Sequence, residues 1–201
     1  MAESRKCQVL VIGAGPGGYV AGIRSAQLGL DTIVVEGDKA GGTCLIRGCI
    51  PSKAIIHAAE RFESLRQHSA DGGHMGLSVK GEAEVDMVGL VSWKDSIVDR
   101  LNKGVEGLLK AAGADLIKGW ASFDGPKSCT IDTGAGSVKI EAENVIIATG
   151  SSHIDLPFMP CDEEFVISST GALDLEALPK SVAIVGGGYI GLELGCALAK
   201  L

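Results

Sequence analysis

The sequence has no apolar run approaching the ~20 residues that a membrane-spanning helix needs, so a membrane-embedded function has no support in it. Basic residues are also in short supply: 18 Lys and Arg face 25 Asp and Glu, a net charge of −7, with no basic stripe to follow a nucleic-acid backbone. The cations are scattered, which argues against an anionic membrane surface. The opening residues, MAESRKC, carry charge and no apolar region of signal-peptide length. A reducing, cytoplasmic location is the expectation. In that setting a close cysteine pair points to catalysis or metal binding rather than to a structural bridge. There is no low-complexity tract and no repeat beyond two glycine loops.

The 201 residues, 46% hydrophobic and 21% charged, suit one globular α/β domain and part of a second. Val9-Leu10-Val11-Ile12 is a short apolar run of the kind found in parallel strands buried on both faces. A glycine loop follows, then a helix to about Gly29 with Gly18, Gly22 and Ala26 on one close-packing face. Thr32–Val35 reads as the second strand, ending at Glu36. Ile55, Ala58, Phe62 and Leu65 mark an amphipathic helix, and a polar loop occupies residues 69–76. Leu90, Trp93, Ile97, Leu101, Val105 and Leu108 predict a third helix buried along that stripe. Residues 114–143 read as short antiparallel strands, and 145–148 as another buried strand. Residues 151–180 read as a linker, after which Val182–Val185 predicts a strand leading into the second glycine loop.

The first loop places Gly13, Gly15 and Gly18 in GxGxxG spacing between strand and helix. Such a loop makes a tight turn, lets backbone approach a pyrophosphate and packs its helix closely, and the helix-start amides face the phosphates. Glu36 is the acid expected on the ribose, with Asp38 as its rival. Gly186, Gly188 and Gly191 repeat the spacing, so two dinucleotides are expected. The chain ends ten residues later, inside that unit's first helix. The expectation is therefore the N-terminal part of a longer protein.

Cys44 and Cys49 stand just beyond the first nucleotide unit. A bridge between them closes a very small loop, so its entropic contribution to stability is modest. Without a second pair they do not make a zinc site, and no metal is expected. A redox dithiol is the remaining reading. Pro51 suits a first helical turn and puts Cys49 near a helix N-terminus, where thiolates are favoured. Cys7, Cys129, Cys161 and Cys196 read as ordinary thiols. His57, His68, His74 and His153 read as ordinary surface or core histidines.

The run GGTCLIRGCIPSK at 41–53 resembles the active-site signature of the pyridine nucleotide–disulfide oxidoreductases, and within them the lipoamide dehydrogenases. VIGAGPGGY, Trp93-Lys94, ATGSS and GGGYIGLELG extend the resemblance over essentially the whole chain. Ile46-Arg47 departs from the usual Asn-Val or Asn-Ile and sets a cation beside the dithiol. The resemblance implies a Rossmann-like FAD-binding domain over 1–150, with a parallel sheet plus small antiparallel strands, a linker over 151–180, and the start of an NAD-binding domain over 181–201. It implies that Gly13, Gly15, Gly18, Glu36, Gly42, Thr43, Ala121, Thr149, Gly150 and Ser151 bind FAD. Cys44 would face the flavin and Cys49 would exchange with substrate. Lys53 would lie beside the flavin and pair with Glu193. Gly186, Gly188 and Gly191 would hold NAD, with Tyr189 covering the flavin where nicotinamide enters. The implied reaction oxidises dihydrolipoamide and reduces NAD, with a lipoamide-bearing acyltransferase of a 2-oxo acid dehydrogenase complex as partner and a homodimer as the assembly. The family's catalytic His has no counterpart here and is expected from the partner subunit. Mercuric reductase, another disulfide reductase, or a non-catalytic FAD-binding fragment are the alternatives.

Overall fold

The computed structural model describes residues 3–70 and 76–201, so His74 and most of the expected polar loop lie outside the described residues. The chain divides into two compact units, residues 1–46 with 99–152, and residues 47–98 with 153–201.

Among the described residues the first unit holds six strands: β1 (Glu3–Ile12), β2 (Thr32–Glu36), β3 (Asp115–Lys118), β4 (Trp120–Gly125), β5 (Ser128–Asp132) and β6 (Ser137–Ile147). Their order is β3-β2-β1-β6-β5-β4. β1 pairs in parallel with β2 and β6, and β2 with β3, whereas β4, β5 and β6 form an antiparallel meander. One face of the parallel layer presents Leu10, Ile12, Ile33 and Val35 to Cys129, Ile131, Ile140 and Ala142 of the meander. The alternate residue Val34 meets helix α1 (Pro16–Gln27) on the opposite face. A Cβ added to Gly22 would stand 2.5 Å from the Val34 side chain. The small-residue face of α1 is thus what lets the helix lie on the sheet.

Three strands differ from expectation. β3 falls in the stretch expected to be antiparallel, yet it pairs in parallel with β2 on the far side of the sheet from the meander. β1 begins at Glu3, well before its apolar run, because its polar first half pairs with residues 138–142 of β6. Residues 145–147 do pair with β1, but they extend β6 and are not buried: Ile147 is 66% exposed. The parallel ladder fixes their backbone; Val145 packs against the sheet core, while Ile146 and Ile147 are left exposed.

The second unit is built on α3 (Cys49–Ala70), α5 (Ser169–Leu173) and α6 (Tyr189–Lys200). Ile55 and Ala59 of α3 pack with Leu173, Leu194 and Ala197. Ala59 rather than Ala58 is fully buried, and Leu65 is exposed. Residues 182–185 do not form the expected strand. Their backbone has no ladder partner among the described residues, and apolar sequence cannot make a strand without one.

Helix α4 (Met87–Ala112) crosses the unit boundary, and its buried stripe is Met87, Lys94, Val98, Asn102, Val105 and Leu109. The expected stripe is therefore rotated, and Leu108 is 57% exposed. Two polar residues hold core positions because each has fixed partners. Asn102 donates to the Ala40 carbonyl at 2.6 Å. Lys94 donates to the Leu173 carbonyl at 3.0 Å and pairs with Asp95 and Asp174.

Candidate functional site

In the first unit the turn after β1 needs glycine at two points. Gly13 has φ +98°, a region that L side chains rarely adopt, and a Cβ there would stand 2.3 Å from the Ala148 carbonyl oxygen. A Cβ on Gly18 would stand 1.7 Å from the Gly13 carbonyl oxygen. Gly15 caps α1 in an extended conformation, and no side chain caps the helix start. Its first-turn N–H groups are therefore left for an anion.

Glu36 closes the mouth of this loop. Its carboxylate accepts from the Ala14 N–H at 2.7 Å and the Asp38 N–H at 2.9 Å. Asp38 itself is exposed. The Gly119 N–H donates to the Glu36 carbonyl at 2.9 Å, which brings the start of β4 here. Ala121, half-buried on β4, pairs with Ile131. The Ala148 N–H donates to the Ile12 carbonyl at 2.7 Å, so Thr149, Gly150 and Ser151 leave β6 beside the glycine loop.

Helix α2 (Gly42–Arg47) starts against the same loop. A Cβ on Gly42 would stand 2.5 Å from the Gly15 Cα, so the two backbones touch. Thr43 is exposed at this contact, and Cys44, one residue on, is half-buried. The structure thus gathers Gly13, Gly15, Gly18, Glu36, Gly42, Thr43, Cys44 and residues 149–151 around one turn.

In the second unit, Cys49 is exposed and is the first residue of α3, with Pro51 in the opening turn. The Ser52 N–H and hydroxyl both donate to the Gly48 carbonyl, which fixes that helix start. The second glycine loop repeats the first in detail. Gly186 has φ +104°, Gly188 caps α6 with φ −71° and ψ 163°, and no side chain caps the start. Gly191 lies close to the Gly186 carbonyl, as Gly18 does to Gly13. Tyr189 is 74% exposed at the helix start.

Lys53 on α3 and Glu193 on α6 are both exposed, and among the described residues no ion pair joins them. Lys200 Nζ lies 2.9 Å from Glu63, and Leu194 and Ala197 share a core with Ile55 and Ala59. The two helices therefore run parallel, and Lys53 and Glu193 fall within about one turn of the same level.

A six-stranded α/β sheet with an uncapped glycine turn, a carboxylate at its mouth and the start of a cysteine-bearing helix against its backbone defines a Rossmann-like dinucleotide-binding fold. The chain belongs to the pyridine nucleotide-disulphide oxidoreductase family, whose sequence profile matches residues 7–201. It is 50% identical over 202 residues to a dihydrolipoyl dehydrogenase of Pseudomonas aeruginosa, covering 100% of this chain and 43% of that protein. The chain therefore spans less than half the length of the curated relatives it matches. A Cu(II) complex of the HOCl-induced flavoprotein disulfide reductase RclA from Escherichia coli superposes with a TM-score of 0.80 at 30% identity, covering 97% of this chain and 40% of that one. LpdA from Mycobacterium tuberculosis shares the fold, with a TM-score of 0.83 at 24% identity over 96% of this chain and 42% of that one. No described helix is long and apolar enough to cross a membrane.

Proposed function

We propose that residues 1–150 form the FAD-binding domain of a dihydrolipoyl dehydrogenase, that 151–180 link it onward, and that 181–201 begin its NAD-binding domain. The observation that carries this reading is the backbone contact of Gly42 with Gly15, which sets the cysteine helix against a phosphate-binding turn. The residues suit FAD: an uncapped helix start for the pyrophosphate, Glu36 with acceptor capacity left for a ribose hydroxyl, and glycines where any Cβ would fill the cradle. Thr43, Lys53, Ala121, Thr149, Gly150 and Ser151 complete that site, and Gly186, Gly188 and Gly191 take NAD.

The substrate's thiolate attacks Sγ of Cys49 in the Cys44–Cys49 disulfide. The S–S bond breaks, a mixed disulfide forms and Cys44 leaves as thiolate. The second substrate thiol then displaces Cys49, giving lipoamide and the reduced dithiol. Bound FAD supplies the two-electron transfer from the dithiol to NAD. Lys53 and Glu193 would hold charge beside a bound flavin, and Tyr189 would cover it where nicotinamide would enter. A lipoamide-bearing acyltransferase of a 2-oxo acid dehydrogenase complex presents the substrate to a cytoplasmic homodimer.

A second reading, another disulfide reductase of the family, draws support from the likeness to RclA and from exposed Arg47 two positions before Cys49. The full-length protein distinguishes them. With Cys49→Ser we expect retained flavin, no dihydrolipoamide turnover and a long-wavelength thiolate-to-flavin absorbance from Cys44. If Cys44→Ser keeps that absorbance instead, the two roles are reversed. Robust disulfide reduction without dihydrolipoamide turnover would favour the second reading.

A further inference from the structure

Outside the nucleotide and dithiol regions, the segment 153–161 brings together three donors of different chemistry. One ligand atom from each of His153, Asp155 and Cys161 lies within 4.8 Å of the other two. His153 Nε2 is 3.5 Å from Asp155 Oδ1, and the Cys161 N–H donates to that oxygen at 3.4 Å. The reversal that creates the cluster is a turn over Leu156–Met159, in which the Met159 N–H donates to the Leu156 carbonyl at 2.9 Å. The following acids are engaged elsewhere. Asp162 accepts from the N–H groups of Glu164, Phe165 and Val166, and Glu163 accepts from the Ser168 N–H. They anchor the chain just after Cys161 and leave its sulfur to the cluster.

We propose that His153, Asp155 and Cys161 form a surface site for a divalent cation of the zinc class. An imidazole nitrogen, a carboxylate oxygen and a thiolate are the donors that zinc takes, whereas magnesium and calcium select oxygen alone. Three protein ligands leave a fourth, tetrahedral position for water. Zinc bonds of about 2.0–2.3 Å put tetrahedral donors about 3.3–3.8 Å apart, so closing the cluster needs shifts of about 1 Å, within reach of rotamer adjustment on an exposed turn. Binding replaces the Cys161 S–H bond by an S–metal bond and releases one proton, with no change of oxidation state. The site would tie residue 153 to residue 161 and fix the segment that leads into α5. It does not depend on the function proposed above.

The test uses the protein carrying Cys44→Ser and Cys49→Ser, so that the other close thiol pair contributes nothing. Titration with Co(II) should show one tight equivalent with a near-ultraviolet thiolate-to-cobalt absorbance that Zn(II) displaces. About one proton should appear per ion in weak buffer. Cys161→Ser should abolish the absorbance, and both it and His153→Ala should weaken binding at least tenfold, with circular dichroism unchanged. An absorbance that survives Cys161→Ser, binding indifferent to His153→Ala, or no thiolate absorbance at all would overturn the site.

Discussion

At the scale of single residues, the glycine loops were legible because their requirement is local. A positive φ at Gly13 and the lack of room for any Cβ at Gly18 follow from a strand turning directly into a helix. Gly18→Ala should therefore cost about 1–3 kcal/mol through overpacking and reduce FAD retention more than tenfold. Flavin absorbance after gel filtration and a urea midpoint check both parts. Glu36→Gln should keep an acceptor for one backbone N–H and so fold, yet weaken FAD binding severalfold, measured by titration of the apoprotein. Lys94 was illegible in its true role, since a lysine between a tryptophan and an aspartate on a helix reads as solvated. Its partners Leu173 and Asp174 lie far along the chain. The His153, Asp155 and Cys161 group was missed for a related reason: His-x-Asp-x5-Cys matches no common ligand spacing, and only the turn at 156–159 brings its ends together.

At the scale of elements, hydrophobic periodicity found α3 and α4, and the glycine loops announced α1 and α6, but the periodicity oriented α4 wrongly. The stripe through Leu90, Trp93 and Leu101 counted only apolar residues, whereas the core-facing line includes Lys94 and Asn102. The buried ammonium holds the C-terminal end of α5 through the Leu173 carbonyl and Asp174. Lys94→Met keeps the volume and removes those bonds. It should destabilise the protein by about 2 kcal/mol, the scale of hydrogen bonds to a charged group. Asp174→Asn, half-exposed and retaining an oxygen acceptor, should cost clearly less; denaturant unfolding compares them. The segment 182–185 teaches the complementary lesson. Its composition is that of a strand, but hydrogen-bond partners, not composition, decide whether a ladder forms.

At the scale of the molecule, the parallel core with an antiparallel meander followed from the motif resemblance, while the division into two units did not. Both units are assembled from sequence-distant segments, and single-sequence patterns carry no such pairing. The sheet core also holds two thiols, Cys7 and Cys129. Burial first, then the nearby Asp31 carboxylate, pushes Cys7 from 9.0 up to about 11. A thiol is neutral below both values, so its contribution to stability is fully present below pH 9. It is lost as pH rises, because the unfolded chain gives up that proton first. Stability should therefore fall between about pH 9 and 11, and the fall should be shallower in Cys7→Ala, although that variant starts lower because of its cavity. Urea unfolding at stepped pH values provides the measurement.

The pairing of β1 with β6 has a consequence for biosynthesis. β1 leaves the ribosome well before β6, which flanks it from Glu3 to Ile12 and is translated roughly 135 residues later. At about 5–20 residues per second, one edge of the central strand waits on the order of ten seconds without its neighbour. During that interval Leu10, Val11 and Ile12 are an open template for a nascent chain beside them. A holdase that covers this strand early should raise the soluble yield, and slowing translation after residue 36 should lower it.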